Sequence, residues 1–303
     1  MKVSKTQVDC RPSVLPRSFL YVPGDSPGKI AKAVAGSADA LIVDLEDAVP
    51  LARKDAARAA TRKWLEQLPV QSDSRASAGS QQKWVRISAE NIEADLDAAV
   101  RPGLSGIFLA KSSVAALTAA AKCLSGLERE RRLPPASVGI IGLIEGARAL
   151  QQLEYMARLE RVLTFAVGEV DLMADLRMKR GHRSEPALDA IRSRVVICCA
   201  AAGLLPPVAP TSTAIRELDE FMESSQKMHD LGFRSRTAVH PSQLSVIHDV
   251  FTPGEDAVAA ARDIVTRYEK SGGSVVLDGD GRMIDAAIVR GALETLNRST
   301  VTF

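Results

Sequence analysis

At 303 residues, with 25% charged side chains and a formal net charge of +2, the chain can bury one large core. It lacks the basic excess that nucleic acid or an anionic membrane would select, and at 4% its aromatic residues are too sparse for base-stacking platforms. Its cysteines (Cys10, Cys123, Cys198 and Cys199) show no CxxC or Cys/His spacing, no apolar run is long enough to span a bilayer, and residues 1–16 lack an apolar signal region, so a reduced, cytoplasmic protein is expected.

In chain order, residues 1–16 form a lead-in broken by Pro12 and Pro16. Residues 18–22 read as a strand stopped by Pro23-Gly24, and Asp25-Ser26-Pro27 starts a helix that continues over 30–35 to Gly36. A second strand over 40–45 ends at Glu46-Asp47 and is followed by a helix over 52–68. The polar stretch 71–82 has no periodicity and reads as a surface loop. Strand 84–87, helix 91–100, strand 106–109 and helix 114–127 follow.

Ile140, Ile141, Leu143 and Ile144 form an apolar run too short for a helix and suited to a buried strand, which ends at Glu145-Gly146. Leu150, Leu153, Met156 and Leu159 then fall at helical spacing, and a further run over 162–167 breaks at Gly168 and leads to Asp171. Helix 187–203, strand 208–211, helix 215–229, strand 237–240 and helix 242–251 complete eight strand–helix units. That alternation implies a closed (β/α)8 TIM barrel over 17–252. A doubly wound open sheet is the alternative, disfavoured because no GxGxxG turn follows the first strand. Residues 253–303 are surplus to a barrel: a helix over 256–269, a break at Gly272-Gly273, a patterned piece over 274–285 and a last helix over 286–296 form a C-terminal helical arm.

Chemistry in such a barrel sits where the strands end at their carboxyl termini. Glu145 and Asp171 share that rim, and two neighbouring acids repel one another unless a divalent cation relieves them. They are either a pair of surface acids in loops or the protein ligands of Mg2+ or Mn2+, which prefer oxygen donors and take the rest as water and substrate. Arg86 ends an apolar strand, where it either pairs with a rim acid or grips a substrate carboxylate or enolate with its planar fork. Glu46 and Asp47 are candidate acceptors for metal-bound waters, with a helix-capping role open for Asp47. His240 precedes Pro241 and reads as a backbone-satisfying residue, and Cys198-Cys199 reads as core.

Seven segments, RSFLYVPGDSPGKIAKA (17–33), ADALIVDLEDAV (38–49), WVRIS (84–88), LIEGARAL (143–150), VGEVDLMADL (167–176), AVHPSQ (238–243) and DGRMIDAAIV (280–289), together resemble the citrate lyase beta-subunit family of the HpcH/HpaI aldolase group, whose relatives include malyl-CoA and citramalyl-CoA lyases. The resemblance runs from Arg17 to about Leu296. It implies a TIM barrel that binds Mg2+ through Glu145 and Asp171, with Arg86 on the carboxyl or enolate oxygens of the substrate and Tyr21 and Lys32 near the CoA part. Asp285 falls on the acid of an arm that, in relatives, covers the neighbouring subunit's active site, which implies a homo-oligomer, a trimer.

The implied reaction is reversible cleavage of a carbon–carbon bond in a 3-hydroxy acyl-CoA thioester. A base takes the hydroxyl proton, an acyl-CoA enolate leaves, Arg86 and the metal stabilise the developing oxyanion, and Asp285 handles the proton. The alternatives are a beta subunit acting on a thioester held by an acyl-carrier partner beside an alpha subunit, a CoA-thioester hydrolase, and a non-catalytic paralogue. The chain departs from the family pattern at Ser88, where Asn is usual, at Gly146, where Thr is usual, and at Val170, where an acid is usual and Glu169 stands one place earlier. Arg177 stands where Gly is common.

Overall fold

The computed structural model describes residues 14–67 and 80–300. Most of the lead-in over 1–16 and of the surface loop over 71–82 lies outside the described residues. Eight strands, β1 (Ser18–Pro23), β2 (Ala40–Asp44), β3 (Gln82–Ile87), β4 (Gly106–Leu109), β5 (Gly139–Ile144), β6 (Val162–Val167), β7 (Val208–Ala209) and β8 (Ser235–Ala238), form a closed barrel in chain order. All pairings are parallel, and β8 returns to β1 through the pairs Ser18↔Arg236, Phe19↔Thr237 and Leu20↔Ala238. This is the expected (β/α)8 architecture. The surrounding helices are α1 (Pro27–Val34), α2 (Lys54–Glu66), α3 (Ile92–Ala99), α4 (Val114–Glu130), α5 (Ala147–Met156), α6 (Glu169–Asp175), α7 (Glu185–Ala201), α8 (Leu218–Leu231) and α9 (Leu244–Phe251).

Side chains alternate across each strand, so one set fills the barrel and the other meets the helices. Phe19, Trp84 and Phe108 pack edge to face inside, with ring centroids 5.3 to 5.6 Å apart. Ile42, Ile141, Leu143 and Val208 join them in the same cluster. A Cβ at Gly106 would lie 2.3 Å from the Trp84 ring, and one at Gly139 would lie 2.4 Å from Leu163, so these glycines are the spaces that the large residues occupy. The opposite faces of the strands, among them Val43, Val85, Ile107 and Ile144, pack against the helices in a second, larger cluster.

Two expected strands shift. β7 is confined to Val208–Ala209 between prolines, and β8 ends at Ala238 because His240 already caps a 3-10 turn at Pro241–Gln243. One helix went unforeseen: the stretch after Gly168 is not a plain loop but α6, whose first turn carries Asp171.

Beyond the barrel, α10 (Glu255–Lys270), an antiparallel hairpin of β9 (Val276–Leu277) and β10 (Met283–Ile284), and α11 (Ala286–Thr300) complete the chain. Arg298 Nη2 donates to the Arg234 carbonyl at 2.6 Å and Arg234 pairs with Glu294 at 2.7 Å, which ties α11 to the chain just ahead of β8. No helix among the described residues is long and apolar enough to cross a membrane.

Candidate active site

Strand alternation explains which polar residues gather at the mouth. Phe19, Ile42, Trp84 and Leu143 belong to the barrel interior, so Tyr21, Asp44, Arg86 and Glu145, two places further on, belong to its top layer. Asp44 and Arg86 are direct register partners on adjacent strands. They form a two-pronged pair, with Arg86 Nε donating to Asp44 Oδ1 at 2.7 Å and Nη2 to Oδ2 at 2.6 Å. Asp44 also accepts the amides of Glu46 and Ala48, each at 2.9 Å. The rim-acid partnership considered for Arg86 is therefore real, and its partner is Asp44.

The guanidinium is not exhausted by that pair. Nη1 makes no hydrogen bond among the described residues and stands 3.4 Å from Glu46 Oε2, a looser ion pair than the grip on Asp44. Arg86 lies over the Tyr21 ring at 5.0 Å. Burial opposes its charge, but the hydrogen bond and charge of Asp44 outweigh it and hold the proton above the ordinary arginine range. Tyr21 is thus the platform beneath Arg86, and burial pushes its phenol well up. Lys32 lies exposed in the last turn of α1.

Glu145 follows directly on β5 with 9% exposure and rests against Gly168, where a Cβ would come within 2.4 Å of its Cγ. Its Oε2 accepts the Lys111 amide at 2.6 Å. Burial pushes the carboxyl up to about 7, against the Lys111 amide and Arg86, which pull it down, while Glu46 and Asp171 add like charge. Asp171 is exposed in the first turn of α6 and near enough for its charge to be felt there. Among the described residues no group of three or more His, Cys, Asp or Glu is arranged to hold a metal. A hard cation of the magnesium kind commonly takes only one or two carboxylates and completes its shell with water and substrate oxygens, so Glu145 and Asp171 are the pair that could hold one here. The repulsion stored around Glu145 is what such a cation would relieve.

Glu46 is buried and already engaged, pairing with Lys111 Nζ at 3.2 Å and accepting the Asp47 amide at 2.8 Å. Asp47 itself is exposed. Lys111, which the sequence reading did not single out, touches two buried acids of the rim. Its backbone sits at φ 50, a strained conformation for a side chain of this size, and the residue holds Glu145 with its amide and Glu46 with its ammonium. His240 accepts the Ser242 amide through Nδ1 at 3.1 Å and caps its own turn. Asp285 does not join the rim of its own barrel in the hydrogen bonds of the described residues; its Oδ1 caps α11 by accepting the amides of Ala287 and Ile288, each at 2.9 Å.

Comparison with known proteins bears on this geometry. The sequence profile of HpcH/HpaI aldolase/citrate lyase matches residues 17–241. The citrate lyase subunit beta of Leuconostoc mesenteroides subsp. cremoris is 28% identical over 91% of this chain and 90% of its own length. A (3S)-malyl-CoA thioesterase of Cereibacter sphaeroides (strain ATCC 17029 / ATH 2.4.9) is 27% identical over 93% of this chain and 94% of its own. Among solved structures, a citrate lyase beta subunit from M. tuberculosis complexed with oxaloacetate and magnesium superposes with a TM-score of 0.60 at 25% identity, over 78% of this chain and 97% of that one.

Proposed function

The chain belongs to the HpcH/HpaI aldolase/citrate lyase family, and from that premise we propose that it is a magnesium-dependent carbon–carbon lyase acting on a 3-hydroxy acyl-CoA thioester such as citryl-, malyl- or citramalyl-CoA. The observation that carries the reading is the crowding of acids about Glu145, buried yet pressed by Glu46 and Asp171, on the rim that also holds Arg86, whose Nη1 makes only a loose ion pair with Glu46. The magnesium and oxaloacetate named with the M. tuberculosis protein support a hard cation and a small oxo acid at this rim. The malyl-CoA acted on by the Cereibacter relative supports a CoA thioester.

Glu145 and Asp171 would hold the cation, and Glu46 would orient water beside it. Magnesium bound there would act as a Lewis acid toward substrate oxygens. Arg86, fixed by Asp44 and Tyr21, would offer Nη1 to the developing enolate oxygen. Lys32 and the neighbourhood of Tyr21 would meet the CoA part. The C-terminal arm, residues 253–303, would cover the mouth of a neighbouring barrel in a homo-oligomer, a trimer, in the cytoplasm. There the partner subunit's Asp285 would handle the proton of the substrate hydroxyl; in the single chain its carboxylate already has one oxygen occupied at the helix cap. Exposed apolar residues of the arm, Val275, Leu277 and Met283, support such a contact.

A second reading, hydrolysis of the thioester, is favoured by the thioesterase relative. A third reading is a beta subunit acting on a carrier-bound thioester beside an alpha subunit; the citrate lyase subunit relative supports it only as far as a chain that works within a multi-subunit enzyme. Citramalyl-, malyl-, citryl- and 3-hydroxy-3-methylglutaryl-CoA, each incubated with and without Mg2+ and read by product mass, separate these. A lyase yields a shorter acyl-CoA and an oxo acid; a thioesterase yields free CoA and the intact hydroxy acid. No Mg2+-dependent product from any of the four, with a carrier-bound thioester also inert, would overturn the proposal.

A further inference from the structure

The turn that carries Asp171 is held from behind by an ion-pair network with no part in the chemistry described above. Glu169 opens α6 two residues before Asp171 and is 3% exposed. Its carboxylate accepts Arg192 Nε at 2.6 Å and Nη2 at 2.9 Å, and Arg180 Nη2 at 2.8 Å. Arg192 is 4% exposed and also donates Nη1 to Glu185 at 2.7 Å and to Asp189 at 2.8 Å. Lys227 on α8 reaches the same two acids, each at 2.8 Å. One arginine therefore links α6 to α7, and its acidic partners continue the link to α8.

Residues two apart on a helix point roughly 200° away from one another. Glu169 accordingly faces the interior while Asp171 faces solvent at the mouth, as their burial shows. A helix of seven residues has almost no stability of its own, so its direction is set by what grips it. Its grips include the Gly168 amide on the Ile144 carbonyl at 3.0 Å, the Ala147 amide on Asp175 Oδ2 at 2.7 Å, and Arg192 and Arg180 on Glu169, of which only Arg192 is buried and two-pronged. A buried fork-to-carboxylate pair fixes angle as well as distance, which a lone hydrogen bond does not.

We propose that Glu169 is a positioning residue for the cation site: through Arg192 it sets the orientation of the first turn of α6, and so the place of Asp171 relative to Glu145. The proposal rests on the reading of Glu145 and Asp171 as cation ligands. Charge and geometry then give opposite signs for one variant. Arg192→Met removes a positive charge near the site, which by Coulomb's law alone would tighten cation binding; a loosened α6 weakens it.

The test is a titration of the metal-free full chain with Mn2+, followed by electron paramagnetic resonance, beside thermal melting of each variant. Glu169→Gln and Arg192→Met should each weaken Mn2+ binding about tenfold or more, and Arg192→Lys, which keeps the charge but not the two-pronged grip, should fall between them and the native chain. Asp171→Asn is the reference. Native-like Mn2+ affinity in Asp171→Asn would remove the ligand reading on which the proposal rests. Loss of binding in Asp171→Asn together with native or tighter binding in Arg192→Met would overturn the positioning role alone, leaving Glu169 a fold-stabilising residue whose variants move only the melting temperature. If Arg192→Met does not fold, Arg192→Lys decides the matter, because its charge is unchanged: native Mn2+ affinity there overturns the proposal.

Discussion

Replacing Gly168 with Ala adds one methyl group to the floor of the site. The backbone accepts it, since Gly168 sits at φ −89 and ψ 77, outside the left-handed region that favours glycine. The side chain does not fit. The new Cβ would stand 2.4 Å from Glu145 Cγ and 2.9 Å from Oε1, where ordinary contact begins at 3.4 Å, so Glu145 must retreat by about 1 Å (3.4 − 2.4). That retreat breaks the 2.6 Å hydrogen bond from the Lys111 amide. Hydrogen bonds to charged groups are worth ~1.5–3 kcal/mol. If that loss falls on the cation-binding arrangement of the carboxylate, Mg2+ affinity drops between ~10-fold and ~150-fold, at about 1.4 kcal/mol per decade. Calorimetric titration of Mg2+ into the metal-free protein measures this directly, and a melting curve checks that the barrel persists. Native Mg2+ affinity in a folded Gly168→Ala protein would show that the contact with Gly168 does not govern how Glu145 presents its oxygens.

Arg86→Lys should lower turnover ~100-fold or more with a smaller change in the Michaelis constant, because a point charge cannot both fork onto Asp44 and face an enolate; steady-state kinetics with near-normal turnover would refute it. Gly106→Ala drives a methyl into the Trp84 ring and should cost ~1–3 kcal/mol in urea unfolding, and an unchanged midpoint would mean that the interior yields more than its packing implies. His248, bonded to Ser18 at 2.8 Å, has its pKa lowered by burial and by Arg17, against Asp39, which raises it. A depressed histidine binds its proton more weakly folded than unfolded, so this contribution to stability is complete above the ordinary value of 6.5 and is lost as pH falls through it. His229 adds the same sign. Denaturation midpoints should therefore drop between about pH 7.5 and about pH 5.5, and His248→Gln should flatten that slope; an identical slope in the variant would exclude His248 as a source.

Much of the architecture was legible because apolar runs such as 140–144 and 162–167 are short, mostly apolar and separated by helical spacing in regular alternation, as buried parallel strands are. β7 and β8 were misplaced by a few residues because Pro207 and Pro210 crowd one strand and a cap at His240 shortens the other, and tertiary pairing decides such ends. α6 was missed since seven residues beginning at Glu169 are too few to show a period. Glu145 and Asp171 could be nominated from their positions after strands. Asp44 was not singled out, although counting alternate residues from Ile42 and Trp84 puts it level with Arg86. Nothing in the sequence announces the backbone of Lys111: a positive φ at a lysine follows from the loop around it.

The closure of the barrel has its own consequence. The ladder between β6 and β7 consists of the single pair Ala166↔Val208, and between β7 and β8 of two. Side chains stitch the gap: Thr164 Oγ1 donates to the Leu205 carbonyl at 2.7 Å, and Thr237 Oγ1 to the Ala209 carbonyl at 3.1 Å. Elsewhere the cylinder is sewn by long ladders of amides, which every sequence possesses; along this seam amide links such as Leu205 to the Leu163 carbonyl are few, and hydroxyls, which only particular residues supply, add to them. A mutation can therefore unbutton the ring here without touching the backbone of any other strand. Mechanically, the molecule is a seven-eighths horseshoe whose clasp is written in its side chains.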